Sequence, residues 1–395
     1  MTDRSPATAP AIDRIVKGHM PALDGLRGIA ILLVLAHGFD VIQTRAGPGH
    51  DLDLVLDLGW IGVQLFFVLS GFLITGILAD NEGSGSYFSA FYARRALRIL
   101  PVYFLAVFAV FHVLPLLFQD FDRGGVRTEA AFWLFLTNFA ELPYQLSRTV
   151  GHFWSLAIEE QFYLVWPLVV FLTSRRHARR IALLTVMLSP ILRWTALRAG
   201  MSGNSVYHFT PFRLDGLATG AFVALSIRDP AARLGLDRLS KLAGAIALVV
   251  GGVLYGPVPL PEPLSTQLDF SIGFSTLSIG FGALLTRVLL AERESRLARM
   301  LSWRGLVTLG TYSYAMYLVH VPLLRVVSKV GLPPQWSGSE RSPMLWLLGY
   351  TATLSALTLG AAMVSWQLCE KHFLALKRHF PYGARGQQAL YDRAA

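Results

Sequence analysis

Long apolar runs recur along the chain, separated by short polar joints in which arginine predominates. The hydrocarbon core of a bilayer is about 30 Å thick and takes roughly 20 apolar residues in helical form. Runs near that length lie at residues 28–46, 59–79, 100–118, 154–173, 181–198, 211–227, 242–257, 268–290, 306–328 and 344–368. The pattern predicts an all-α integral membrane protein with about ten transmembrane helices in one bundle. A further run, Ala130–Pro143, is too short to cross, so the stretch near 130–146 is expected to be re-entrant or interfacial.

Composition supports this reading. Hydrophobic residues make up 53% of the chain and charged residues 15%, with a mean hydropathy of +0.48. A soluble domain carries about 25% charged residues, and the deficit here is spread along most of the length. The net charge of +10 would raise the question of nucleic acid in a soluble protein, but the apolar spans exclude a soluble nucleic-acid binder. Topology explains the charge better. With ten crossings and both termini cytoplasmic, 25 of the 35 Lys and Arg fall on the cytoplasmic side, as the positive-inside rule requires. Counting Ala130–Pro143 as a full crossing would put Arg175, Arg176, Arg179 and Arg180 outside. The expected location is therefore the inner (plasma) membrane. The single cysteine, Cys369, leaves no disulfide framework and no multi-cysteine metal site, and no metal is expected. Residues 1–20 form a polar tail without a signal-peptide core. Residues 21–376 form the transmembrane domain, and 377–395 a basic tail read as an inner-leaflet anchor. No internal repeat is visible.

A charge inside a bilayer costs at least about 2.5–3.5 kcal/mol on insertion scales, so four polar clusters stand out. In the first, Arg27 stands at the inner end of the first span and His37 ten residues on, about 15 Å deeper. His37 can serve as a general base or as a structural histidine, and Arg27 alone reads as an interfacial residue. In the second, Arg94, Arg95 and Arg98 stand before the third span, with Arg94 and Arg98 on one face. Three guanidinium groups suit a phosphate-rich ligand such as coenzyme A; plain topology or lipid contact is the alternative. In the third, His152, Ser155 and Glu159 lie on one helical stripe, with Glu160 adjacent. A carboxylate there can orient a histidine or hold an acceptor hydroxyl, or it can form a structural ion pair with an arginine such as Arg213. The fourth joins Arg213 and Asp215 to the stripe Ser313, Tyr317 and His320, residues that also read as pore-lining structural polars and interfacial aromatics.

These clusters, in this order, resemble the acyltransferase-3 family of membrane O-acyltransferases. The matching segments are LDGLRGIAILLVLAH (23–37), GWIGVQLFFVLSGFLIT (59–75), FYARRALRILPVYF (91–104), FWSLAIEEQFYLVWP (153–167), FRLDGLATG (212–220) and YSYAMYLVHVPLL (312–324). The resemblance spans residues 21 to about 376. It implies a ten-helix bundle, acyl-CoA on the cytoplasmic side, most commonly acetyl-CoA, and a carbohydrate or glycoconjugate acceptor. It assigns donor binding to Arg27, Arg94, Arg95 and Arg98, and catalysis to His37 with Glu159 and Glu160. His152, Ser155, Arg213, Asp215, Tyr317 and His320 are then expected on the acceptor side. The family's histidine often lies one position further from the arginine, and a one-residue shift turns a side chain by about 100°. Longer members carry a fused hydrolase-like domain, which this sequence is expected to lack. The competing class is a multi-pass transporter of a sugar-like or anionic solute, for which internal repeats would be a sign.

Overall fold

The computed structural model describes residues 19–43, 58–118, 121–255, 264–292, 294–329 and 343–382. Most of the tail 1–20, the Pro-rich connections 257–263 and 332–342, and residues 383–395 lie outside them. No strand occurs among the described residues. Ten long helices occupy the expected spans: α1 Pro21–Gln43, α2 Ile61–Asp80, α3 Tyr87–Phe108, α4 Trp154–Leu172, α5 Arg175–Arg198, α6 Leu214–Arg228, α7 Pro230–Tyr255, α8 Phe274–Leu290, α9 Arg304–Lys329 and α10 Pro343–Ser365. The expected non-crossing stretch is a set of short helices, Val126–Trp133, Thr137–Phe139 and Tyr144–Val150.

Several helices begin well before their apolar runs. α1 starts at Pro21, with Asp24 in its first turn, and α7 starts at Pro230. Proline is preorganised for a first helical position, and a carboxylate there favours the helix dipole. α3 already includes Arg94, Arg95 and Arg98. The charged residues at these ends are thus helical, and their side chains point at fixed angles from a rigid element.

Eight helical segments are long and apolar enough to cross a membrane. The two exceptions are α6 and α9, and both are interior. α6 has only 15 residues, 12 of them buried. α9 carries Ser313, Tyr317 and His320, all buried. A helix surrounded by protein need not be apolar toward lipid. α9 lies alongside α1 and α6 alongside α2, the two most extensive pairings. Small residues permit the second of these. A β-carbon at Gly71 would collide with the backbone of Leu217, and one at Gly220 with that of Val68, so glycine is required for the approach. The periphery is the reverse. α7 buries only Leu236 and Ser240, and α5 turns Leu184, Met187, Leu188 and Ile191 outward.

The helix ends that carry the arginines are bound together. Arg228 grips Asp80 through Nε and Nη2, both at 2.8 Å. Arg175 reaches Glu82 at 2.6 Å and the carbonyl of Ala79. Arg179 meets Asp229 at 2.5 Å and holds its carboxyl below the usual carboxylate range. Deeper in the bundle, Arg193 and Asp215 form a fully buried pair at 3.0 Å. Ser275 also donates to Asp215, and Arg193 donates to the carbonyls of Ser271 and Phe212.

Breaking one side of a buried pair strands a charge and costs about 3–5 kcal/mol, whereas an apolar replacement of both partners is often neutral. Asp215→Ala is expected to lower the thermal midpoint in detergent far more than the double exchange Arg193→Met with Asp215→Leu. Equal midpoints for the two variants would refute the pair's structural role.

Candidate active site

Two cavities occupy the bundle between α1, α2, α4 and α9. The first is also walled by α3 and has a volume of about 100 Å³. Its charged lining is Arg27 from α1, Arg95 and Arg98 from α3, and Glu159 and Glu160 from α4. Glu159 is fixed from both sides: Ser70 donates to it at 2.9 Å and Tyr163 at 2.8 Å. The guanidinium of Arg95 stands 5.2 Å over the ring of Tyr163. Among the described residues, Arg95 and Arg98 form no ion pair, although both glutamates share their cavity. Cations and carboxylates therefore face a common space rather than closing on each other, an arrangement that accepts a ligand with anionic and polar parts.

The second cavity, of about 360 Å³, lies beyond the first. His37, His152 and His320 line it, with Trp60, Trp154 and Tyr207 among its aromatic walls. The His152 and His320 rings are 4.6 Å apart. Nδ1 of His320 donates to the carbonyl of Tyr317 at 2.7 Å, which leaves Nε2 as the basic nitrogen of the neutral ring. His320 approaches α1 at Gly38, where a β-carbon would lie 2.9 Å from Nε2. His37 sits beside Gly59, at the level where α2 begins. Its spacing from Arg27, one residue shorter than the family often shows, still turns it into the cavity.

Val63 and Tyr317 line both cavities. Between them the hydroxyls of Ser155 and Tyr317 lie 2.6 Å apart, and Tyr317 donates to the carbonyl of His152 at 3.0 Å. Two helical stripes seen in the sequence thus run from one chamber to the other. Ser155 and Glu159 face the first and His152 the second; Ser313 and Tyr317 face the first, Tyr317 and His320 the second.

Comparison with known proteins agrees with this geometry. The acyltransferase-3 family, described as an acyltransferase domain, matches residues 20–366. The chain belongs to the acyltransferase-3 family. It is 31% identical over 341 residues to a putative peptidoglycan O-acetyltransferase, YrhL, of Bacillus subtilis, an alignment covering 80% of this chain and 51% of that one. It is 26% identical over 335 residues to the peptidoglycan O-acetyltransferase OatA of Listeria monocytogenes, with 80% and 51% covered. It is 27% identical over 323 residues to the O-acetyltransferase OatA of Staphylococcus aureus, with 78% and 51% covered. The chain spans about half the length of these curated relatives. No solved structure matches.

Within this acyltransferase-3 fold, three of the thirteen residues singled out from sequence stand apart from the cavities. Arg94 turns away from Arg95 and donates to the carbonyls of Lys377 and Phe380 at 2.9 and 3.2 Å. Asp215 belongs to the Arg193 pair. Arg213 makes no ion pair with Glu159 or Glu160; it donates to Gln64 at 3.0 Å and lies in a cage of Phe67, Trp154, Tyr207 and Phe274, nearest to Phe274 at 3.9 Å. Such cation–π contacts replace part of its lost hydration. Sequence reasoning missed Ser70, Tyr163, Tyr314 and Arg193. For Arg193 a signal existed, because a lone arginine inside the fifth span needs a partner.

Gly38→Ala is expected to push the His320 ring from its place while leaving insertion and thermal midpoint unchanged. Misplacement of a reacting group by about 1 Å can cost roughly a hundredfold in rate, so a loss of that order in acyl transfer is the expected result. Undiminished transfer would show that the position of His320 is immaterial.

Proposed function

We propose that this chain is a membrane-bound O-acyltransferase that moves an acyl group, acetyl in the first instance, from acyl-CoA to a hydroxyl of a carbohydrate or glycoconjugate. The observation that carries the reading is the meeting of a cationic cavity and a histidine-lined cavity at Val63 and Tyr317. The relatives' names support acetyl as cargo and a peptidoglycan-type sugar as acceptor. The arginine-bound end is the cytoplasmic one in this proposal, with both termini on that side of the inner membrane.

Arg95 and Arg98, with Arg27, which also pairs with Asp24 at 3.3 Å, would hold the donor's phosphates, each guanidinium offering two parallel donors. The pantetheine arm then runs past Glu159 and Glu160 toward the hydroxyl pair. The acceptor enters the second cavity, where His37 takes the proton of its hydroxyl. The hydroxyl oxygen attacks the thioester carbonyl, the carbon–sulfur bond breaks, and the CoA thiolate leaves with the electron pair and receives the proton. The hydroxyls of Ser155 and Tyr317 lie at the junction of the two cavities; in this proposal Ser155 turns its proton from its protein acceptor to the developing oxyanion, which a nearby donor stabilises. Glu159, held by Ser70 and Tyr163, keeps the polar wall opposite the arginines in place. Nothing in the site or among the relatives favours the transporter.

Purified protein incubated with labelled acetyl-CoA and a panel of glycans is expected to transfer label to sugar. His37→Ala is expected to abolish that transfer with unchanged insertion; near-wild-type turnover would remove His37 from the mechanism. Arg95→Ala is expected to raise the apparent KM for acyl-CoA about tenfold, the effect of one charge-assisted contact, with a smaller change in kcat. An unaltered KM would end the phosphate role of Arg95.

A further inference from the structure

We propose that Lys377 completes the phosphate-binding cluster with Arg95 and Arg98, and that Arg94 is the anchor that holds the Lys377 segment over the donor mouth. The identity of the ligand as the phosphate end of acyl-CoA rests on the function proposed above; the cation cluster itself does not.

The segment leaves α10 through a π-helical turn, Trp366–Glu370, continues as the short helix Lys371–Ala375, and ends in a 3-10 turn, Leu376–His379. It then folds back along α3. Arg94 grips it at two carbonyls, those of Lys377 and Phe380. The Arg94 guanidinium also stands 5.1 Å over the ring of Tyr382, which is buried. Ser86 adds a hydrogen bond to the carbonyl of Pro381 at 3.1 Å. Four contacts from one side of α3 thus fix a segment whose own sequence is strongly basic.

The result is a concentration of positive charge. The ammonium of Lys377 has Arg98, Arg95 and Arg94 as its electrostatic neighbours. Among the described residues it forms no ion pair. Glu370 is the acidic group near Arg98, and its carboxylate accepts from Ser365 at 3.4 Å. Like charges gathered in this way repel, more strongly where water is partly excluded. A fold that retains them is poised for a polyanion that relieves the repulsion. Arg94 donates to the segment's backbone and so brings Lys377, which lies outside the residues lining the first cavity, beside the arginines of its wall; in this proposal Lys377 takes the place among the donor-binding cations that the sequence pattern suggests for Arg94. A compact ammonium on a flexible stem suits a terminal phosphate, and the planar arginines suit a pyrophosphate.

The test is equilibrium binding of two probes, coenzyme A and inorganic pyrophosphate, to the full chain in detergent. Lys377→Met is expected to weaken both by about tenfold, the value of one charge-assisted contact, with an unchanged thermal midpoint. Lys377→Arg is expected to restore most of the affinity, and Lys377→Met to raise the KM for acyl-CoA with kcat within about twofold. Arg94→Met is expected to weaken binding too, and in addition to speed amide exchange across residues 376–382, which Lys377→Met leaves protected. Unchanged affinity for both probes in Lys377→Met, beside a clear loss in Arg98→Met, would overturn the assignment. Wild-type protein that binds pyrophosphate through Lys377 but not coenzyme A would sustain the cluster and remove the acyl-CoA reading. Binding of neither probe by the wild type would overturn both.

Discussion

The whole bundle depends on one constraint: a charge carried into a low-dielectric interior must find its partner within the protein. The structure meets it in three different ways. Arg193 is matched by Asp215, Ser275 and two backbone carbonyls. Arg213 is matched by Gln64 and four aromatic rings. Arg95 and Arg98 close no ion pair among the described residues; they share a cavity with Glu159 and Glu160 instead. The first is closed and serves the fold; the second is partly closed, since Nε and Nη1 of Arg213 have no hydrogen-bond partner among the described residues. The third is open, and an open solution is the one that leaves a place for a ligand. On the proposed function, partnering is what separates the structural Arg193 from Arg95 and Arg98.

The interior position of α6 and α9 follows from the same constraint. Both carry polar groups that lipid would penalise, and both are shielded by the apolar faces of their neighbours. α6 is too short to span about 30 Å at 1.5 Å per residue, but it does not face the bilayer alone. Glycine makes the shielding tight. Besides Gly71 and Gly220, Gly310 of α9 meets the backbone of Asp24 on α1, where a β-carbon would clash. Close backbone contact replaces the hydrophobic drive that helices lack in lipid. It also sets α9 rigidly against α1, so that His37 and His320 face one chamber.

Much of this was legible in the sequence. Apolar runs located all ten helices, because length and hydropathy are properties of a segment alone. The helix starts were not located, because Asp24, Arg27 and the Arg94–Arg98 group look like loop charges until neighbouring helices enclose them. Stripe reasoning on α4 and α9 placed Ser155, Glu159, Tyr317 and His320 on facing walls, since a 3.6-residue period is local information. It erred in emphasis on α3. The i, i+4 spacing paired Arg94 with Arg98, yet Arg95 and Arg98, at i, i+3, share the cavity. Both spacings are compatible with one helical face. The choice between them was made by the segment 376–382, nearly three hundred residues away, which claims Arg94. Arg213 and Asp215 illustrate the same limit, because adjacency in sequence said nothing of Arg193 on another helix.

The division into two chambers has a consequence for the chemistry. The donor and acceptor of the proposed reaction, one carrying several phosphates and the other rich in hydroxyls, need opposite surroundings. The first requires cations near bulk solvent; the second requires aromatic walls and neutral bases. Had Arg95 and His37 shared one cavity, the arginines' field would have disfavoured the protonated histidine that the proposed general base must become. Placing the histidines beyond the Ser155–Tyr317 pair puts a layer of hydroxyls and Val63 between them and Arg27, Arg95 and Arg98, and leaves Arg148 as the arginine that borders their cavity. In the proposed reaction, a thioester on a flexible arm would reach its acceptor across that layer. It is also hydrogen-bonded to the backbone of His152, so the wall between the chambers and the base on its far side are positioned by the same few atoms.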